Sequence, residues 1–419
     1  MLQEIQDILL LQKREIDLRM NELYIERHTT LELQNDLIKV IVGPRRAGKS
    51  FFALHYLQQI GSFGYVNFDD EKLTEVKNYD EIISAMNLVY NHPKYVLFDE
   101  IQNLPKWELF TNRLQRQGYN LIITGSNSHL LSKDLATHLT GRHVLRTIFP
   151  FSFQEYLKIE NKELTTQEIQ AKLALYLING GFPEPLMKNI GRKDYLETLF
   201  NAIIYKDIVK RYRIRRPKEI EDLAYYLISN VSCEFSFHSL TRVSKIKSSH
   251  TIQKYLSYLE ESYILFSISR FSYKVKEQVS SNKKMYCIDN GFIHAKAFSS
   301  SPDVGKLYEN LIACVLKKEE TKGTCSVYYW KNPQREEVDF VVKKGTSVEQ
   351  LIQVCYNPKN IETKNREIRA LIKAGKEVHC SRLLMITEDM EGSEETEWFG
   401  EKATIHYVPL WKWLMKNNY

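Results

Sequence analysis

The sequence predicts an α/β protein: a parallel-sheet domain in its first third, then a helical region, then a mixed α/β segment. Three observations predict it. Short apolar runs alternate with helical stretches from about residue 37 to 157, the pattern of a parallel sheet covered on both faces. A turn-rich break at Asn179-Gly180-Gly181-Phe182-Pro183 is followed by helical spacing to about residue 265. From about residue 300 onward strands and helices mix again.

At 419 residues, 43% of them hydrophobic and 26% charged, the chain has the balance of a globular protein with two or three cores. The expected domains are 1–160, 161–298 and 299–419. No stretch approaches the ~18 consecutive apolar residues of a membrane span. Glu4, Asp7, Glu15 and Asp17 stand where a secretory signal would be apolar. The expected setting is therefore the cytoplasm, with no membrane partner. Cys233, Cys287, Cys314, Cys325, Cys355 and Cys380 lie far apart with no CxxC pair, which argues against a disulfide framework and a zinc site. A net charge of +6 permits a polyanionic partner without requiring one.

Residues 1 to about 30 read as an amphipathic helix, with Leu2, Ile5, Ile8, Leu9 and Ile16 near one face. The strands expected next are Ile38–Val42, 65–68, 95–98, 120–124 and 144–148. Between the first strand and the helical FFALHYL lies Gly43-Pro44-Arg45-Arg46-Ala47-Gly48-Lys49-Ser50, which fits GxxxxGK[ST]. Glycines at these positions let successive backbone N–H groups face phosphates, and the helix amino end adds partial positive charge. Lys49 is expected to reach the β and γ phosphates and Ser50 to bind Mg²⁺. Phe51 completes the candidate nucleotide-binding set. The ligands implied are ATP and Mg²⁺.

The strand YVLF runs into Asp99 and Glu100. Asp99 is the candidate metal ligand and Glu100 the group that orients and polarises attacking water; the rival reading is an acidic strand end that caps the next helix. After the following strand, Ser126 and Asn127 are candidates for contacting the water or the γ-phosphate, or for simple helix capping. Arg142, in Leu139-Thr140-Gly141-Arg142, is a candidate for neutralising charge on the transferring phosphoryl group, or else a solvated arginine.

GPRRAGKS, YVLFDEIQNLPKWE, LIITGSNSHLL, LTGRHVLRTIFPFSFQEYL, GGFPEPL and EVDFVV together resemble an archaeal and bacterial group of AAA-type ATPases of the additional-strand, catalytic-glutamate class. That group carries a winged-helix and nuclease-like C-terminal region. The resemblance implies nucleotide and metal roles for Lys49 and Ser50, metal and catalytic roles for Asp99 and Glu100, and an arginine-finger or phosphate-sensor role for Arg142.

Residues 235–266 read as helix, turn, helix, strand. Phe237, Leu240 and Val243 are spaced for the first helix; Ile252, Tyr255, Leu256 and Leu259 are spaced for the buried face of the second. In such a motif the second helix enters the major groove of double-stranded DNA. Lys245, Lys247 and Lys254 suit phosphates, and FSYKVKEQVSSNKKMY suits a basic wing with Lys274, Lys276, Lys283 and Lys284. A packing or protein-interaction role is the alternative. Upstream, Lys206, Lys210, Arg211, Arg213, Arg215, Arg216 and Lys218 form a basic cluster, read as a nucleic-acid patch, a phosphate-sensing surface or a solvated helix end.

At the C-terminal end, Glu309, Asp339 and the strand LIQVCY look like the skeleton of a PD-(D/E)xK nuclease, with Glu336 and Glu337 nearby. That chemistry needs carboxylates for Mg²⁺ and usually a lysine. Here the final motif reads Gln353-Val354-Cys355: glutamine keeps an oxygen but no charge, and cysteine cannot replace an ammonium. A retired nuclease fold is expected. The function expected of the whole chain is Mg-dependent ATP hydrolysis coupled to DNA binding. The alternative is a nucleotide-controlled switch or scaffold for a protein partner, with little turnover and no DNA; a second copy of the chain is a further candidate partner.

Overall fold

Five apolar segments form one parallel sheet in the order β2-β3-β4-β1-β5. The strands are β1 (Ile38–Val42), β2 (Phe63–Asn67), β3 (Tyr95–Asp99), β4 (Asn120–Gly125) and β5 (His143–Thr147). β1, β3 and β4 are buried along nearly their whole length, which is why they read as unbroken apolar runs rather than alternating ones. The computed structural model of the chain describes residues 2–32, 35–125, 141–188, 190–297, 303–398 and 400–416.

Helices cover this sheet: α1 (Leu2–Arg19), α2 (Lys49–Gln58), α3 (Tyr79–Tyr90) and α4 (Trp107–Arg116). α1 buries Ile5, Ile8, Leu9, Gln12 and Ile16, while Leu2 is exposed. Gln12 is not a misplaced polar residue. Its amide donates to the Asn67 carbonyl at 3.0 Å and accepts from the Asn67 N–H at 2.9 Å, pairing with the outermost strand β2. α3 starts on an Asn78 cap and packs Ile82, Ala85 and Met86 inward. These elements form one compact unit, Met1–Pro150.

The second compact unit, Phe151–Tyr419, takes in both the helical region and the C-terminal segment. Its sheet has nine strands in the order β13-β14-β12-β11-β10-β9-β7-β8-β6. They are β6 (Glu234–Phe235), β7 (Leu265–Arg270), β8 (Lys283–Cys287), β9 (Ser326–Lys331), β10 (Glu337–Lys344), β11 (Ser347–Val354), β12 (Leu383–Thr387), β13 (Gly392–Trp398) and β14 (Glu401–Pro409). β7 pairs antiparallel with β8 and parallel with β9, so strands of the expected wing continue into the C-terminal sheet. Helices α5 (Phe237–Val243), α6 (Ser249–Glu261), α7 (Val304–Thr321) and α8 (Ile361–Val378) flank it. α8 turns Ile368, Leu371, Ile372 and Val378 into a core with Trp330, Val341, Leu351 and Tyr407.

The turn-rich break at Gly180-Gly181 lies inside this unit. Asp289, buried, accepts the Gly181 N–H at 2.7 Å and the Gly291 N–H at 2.8 Å. A Cβ on Gly180 would sit 1.7 Å from Asp289 Oδ1, and φ there is +70°. The glycines serve a tight internal turn. Among the described residues no helix is long and apolar enough to cross a membrane.

Candidate functional site

The phosphate-loop residues join β1 to α2 at the carboxyl edge of the first sheet. Gly43 has φ +141°, and a Cβ there would lie 2.0 Å from the Ile148 carbonyl oxygen, so only glycine fits against the end of β5. Arg46 and Gly48 both take positive φ, 66° and 93°; for Arg46 that is backbone strain of the kind concentrated at ligand loops. Gly48 caps α2 without a side-chain hydrogen bond, leaving the first helical N–H groups to be satisfied from outside the helix. Lys49 is buried, and its Nζ donates to the Pro44 carbonyl at 2.9 Å. Pro44, Arg45, Ala47 and Phe51 complete the stretch, and the Phe51 ring lies 5.8 Å from that of His55, which stacks on Tyr24 at 4.1 Å.

Sheet order brings the second half of the site to the first. β4 lies between β1 and β3, with Thr124 beside Ile41 and Phe98 beside Ile123. Thr124 therefore stands between the phosphate loop and Asp99. Ser50 Oγ donates to Asp99 Oδ1 at 2.8 Å, Thr124 Oγ1 donates to the same oxygen, and the Tyr65 hydroxyl donates to Oδ2 at 3.1 Å. Thr124 also accepts the Glu100 N–H at 3.2 Å. Burial, then the Glu100 charge, raises the Asp99 pKa against these three hydrogen bonds. Burial and Asp99 raise the Tyr65 hydroxyl far enough that it stays a donor. Glu100 takes φ 51° and its carboxylate accepts from the Gln102 amide.

Ser126 and Asn127 lie outside the described residues. Arg142 calls for a correction. It immediately precedes β5, whose His143 pairs with Ile38 while Thr147 pairs with Val42. Arg142 thus sits at the amino edge of the sheet, and the phosphate loop leaves the carboxyl edge. Four residue steps at ~3.3 Å each separate the two edges by roughly 13 Å, so Arg142 is not a sensor for its own domain's nucleotide. Thr124 and Tyr65 were missed by sequence reasoning. Thr124 is the polar residue inside the strand end rather than after it, a signal that could have been read; Tyr65 gives no local signal.

In the second unit, the carboxylates expected to form a nuclease skeleton converge on a lysine. Lys284 on β8 is 2% exposed and pairs with Glu309 of α7 at 2.9 Å, and with Glu337 and Asp339 of β10 at 2.5 and 3.0 Å. Burial alone would lower the Lys284 pKa; Glu309, Tyr286, Asp339 and Glu337 outweigh it and keep the ammonium charged. Burial and Asp339 push Glu309 up to about 7. Lys284 is therefore no part of an exposed basic wing. Gln353 is held at both ends of its amide: its Oε1 accepts the Asp339 N–H at 3.1 Å and its Nε2 donates to Glu367 at 2.7 Å. Asp339 Oδ2 accepts the Val354 N–H at 3.0 Å. Among the described residues no group of His, Cys, Asp and Glu is arranged to hold a metal.

α5 and α6 form the expected helix pair, with Leu240, Ile252, Tyr255, Leu256 and Leu259 buried but Val243 exposed. Lys245, Lys247, His250, Gln253 and Lys254 are exposed. The segment between β7 and β8, expected to form a basic wing, holds a short helix, Val275–Ser280, and Lys274 pairs with Glu277. In the upstream basic cluster, Arg216 and Lys218 are taken by Glu219, Glu221 and Asp222.

The family model of an AAA domain matches residues 35–157. Two domains of unknown function, DUF8612 and DUF4143, match residues 170–303 and 304–413. The uncharacterized protein MJ1544 of Methanocaldococcus jannaschii is 36% identical over 411 residues, spanning 93% of this chain and 90% of that protein. An uncharacterized Haemophilus influenzae protein is 31% identical over 349 residues, spanning 79% and 86%. A solved structure, the Walker-type ATPase PABY2304 of Pyrococcus abyssi, is similar at TM-score 0.40 and 17% identity, over 62% of this chain and 90% of that one.

Proposed function

The chain belongs to one family with those Methanocaldococcus and Haemophilus proteins and carries an AAA domain, and from that premise we propose that it is a Mg²⁺-dependent ATPase of the cytoplasm. The observation that carries the proposal is the hydrogen bond from Ser50 to Asp99, which joins the loop hydroxyl to a strand-end carboxylate across the sheet. A hydroxyl beside a carboxylate is an oxygen donor pair suited to Mg²⁺. Asp99 is buried with three hydroxyl donors and, among the described residues, no cationic partner, so its charge calls for a cation. Bound there, Mg²⁺ would neutralise charge on the phosphates.

In this mechanism the backbone N–H groups of residues 43–50 and the amino end of α2 bind the triphosphate. Lys49 leaves the Pro44 carbonyl for the β and γ phosphates. Glu100, released from Gln102, orients a water and draws its proton as the water oxygen bonds to the γ-phosphorus and the bridging P–O bond breaks. Thr124 fixes Glu100 and Asp99 relative to each other. Arg142 faces the wrong edge for its own nucleotide, so basal hydrolysis is slow and rises with self-association or a partner. Specific activity that stays flat over a tenfold concentration range excludes self-association.

DNA is the second ligand we propose, with α5, α6 and β6–β8 acting as a winged helix. Support comes from Lys245, Lys247 and Lys254, which are exposed around the start of α6 and hold no ion pair among the described residues. The C-terminal part is, in this reading, a nuclease-like fold whose cation position Lys284 occupies. The test is Mg-dependent ATP turnover of wild type, Lys49→Ala and Glu100→Gln, with and without duplex DNA. Loss of turnover in both variants, with ATP retained by Glu100→Gln, supports the ATPase. Absence of calorimetric ATP uptake by wild type overturns it, and no DNA binding at low salt overturns the DNA part. Tight nucleotide retention without turnover selects a nucleotide-controlled switch for a protein partner instead.

A further inference from the structure

Arg27 lies on the segment between α1 and β1, ahead of the residues that match the AAA domain. Its side chain is 8% exposed, and Ile25 and Leu31 on the same segment are buried with it. Tyr56 of α2 donates its hydroxyl to the Leu31 carbonyl, so the segment is fastened to the helix that follows the phosphate loop. From this seat Arg27 Nη1 donates to the Ala47 carbonyl at 3.2 Å, and Nη2 donates to the Phe149 carbonyl.

Both acceptors matter. Ala47 belongs to the phosphate loop, and its carbonyl shares one peptide plane with the Gly48 N–H. In a trans peptide these two groups point in opposite directions. Holding the carbonyl outward therefore aims the Gly48 N–H inward, where a phosphate oxygen would accept it, and keeps a carbonyl oxygen from facing the anion. Phe149 follows β5 one residue before Pro150, where the first unit ends. A guanidinium is a rigid planar fork, so a shift of the loop carbonyl is felt at the exit of the chain.

We propose that Arg27 is a positioning residue for ATP: by gripping Ala47 it orients the phosphate loop, and by gripping Phe149 it links loop occupancy to the chain's exit from the domain. This rests on the ATPase reading above. The test uses full-length Arg27→Ala and Arg27→Lys beside wild type and Lys49→Ala. In Arg27→Ala the KM for Mg-ATP should rise roughly ten- to a hundredfold, the range for a lost charged hydrogen bond, with kcat changed much less. Arg27→Lys, which reaches one carbonyl but cannot fork to both, should fall between. At saturating ATP, hydrogen exchange of peptides covering residues 147–150 should respond to nucleotide in wild type and not in Arg27→Ala. A folded Arg27→Ala with wild-type KM overturns the proposal. If that variant does not fold, Arg27→Lys with wild-type KM and wild-type exchange does so. Failure of wild type itself to bind ATP sinks the ATPase reading instead, while ATP lost only in Lys49→Ala sinks the Arg27 role alone.

Discussion

Asp99 and Asp339 are both buried carboxylates near a strand's carboxylate cluster, yet their surroundings differ in one decisive respect. Three neutral hydroxyls surround Asp99, whereas an ammonium sits against Asp339, Glu309 and Glu337. Hydroxyls orient a negative charge without cancelling it; an ammonium cancels it in place. The first arrangement leaves room for a divalent cation to lower the energy of the site, and the second has already spent that gain. Metal chemistry is therefore expected in the AAA domain and not in the C-terminal sheet.

The widest gap between the two sites should appear in Glu100→Gln, with ATP turnover falling about 10²–10⁴-fold and ATP binding kept in a filter or calorimetric assay. Turnover near wild type would remove the catalytic role of Glu100. On the other side, Lys284→Met strips buried Asp339 and the partly buried Glu309 and Glu337 of their shared cation. It should destabilise the second unit by about 3–5 kcal/mol, read by denaturant unfolding. An unchanged midpoint would mean that the cluster reorganises freely.

Asp289 offers a pH test away from both sites. Burial pushes it up to about 6, so the fold favours the neutral carboxyl. Its contribution is fully present below the ordinary carboxylate pKa near 4 and is lost as pH rises through about 6, roughly 3 kcal/mol in all. Glu309, pushed up to about 7, has the same sign. Burial lowers the pKa of His55 and His143, which act with the opposite sign, so the reading is the difference: the thermal stability of wild type relative to Asp289→Asn should fall from pH 5.5 to pH 7.5. A slope of opposite sign defeats the assignment.

Smaller still, Thr124→Val keeps volume but removes one donor to Asp99 and the acceptor for Glu100. Turnover should fall roughly tenfold to a hundredfold with ATP affinity little changed. At the bottom of the scale, Asp339→Ala should leave plasmid nicking in Mg²⁺ or Mn²⁺ at the wild-type background. Nicking by wild type that this substitution abolishes would reverse the contrast between the two carboxylates.

Much of the first sheet could be read from sequence because buried parallel strands are short apolar runs; Ile38–Val42 falls where it was expected, and the other four lie within two residues at either end. β13 was not legible: GSEETEW is an outer strand rich in charge, and its pairing with β14 comes from the chain around it rather than from its own pattern. The same division holds at the site. Lys49, Ser50, Asp99 and Glu100 sit in contiguous motifs. Tyr65 and Arg27 matter through backbone and carboxylate partners far away in sequence, and no spacing rule connects them. Lys284 read as part of a basic surface because its three carboxylate partners come from α7 and β10.

Gln12 has a consequence for handling the protein. Its side-chain amide occupies both the N–H and the C=O of Asn67 at the rim of the five-stranded sheet. Removing α1 by truncation would bare the Asn67 N–H and C=O at a sheet edge, where a β-strand from another molecule can add. Shortened versions that start near the phosphate loop should therefore precipitate or form intermolecular sheet, whatever their affinity for ATP.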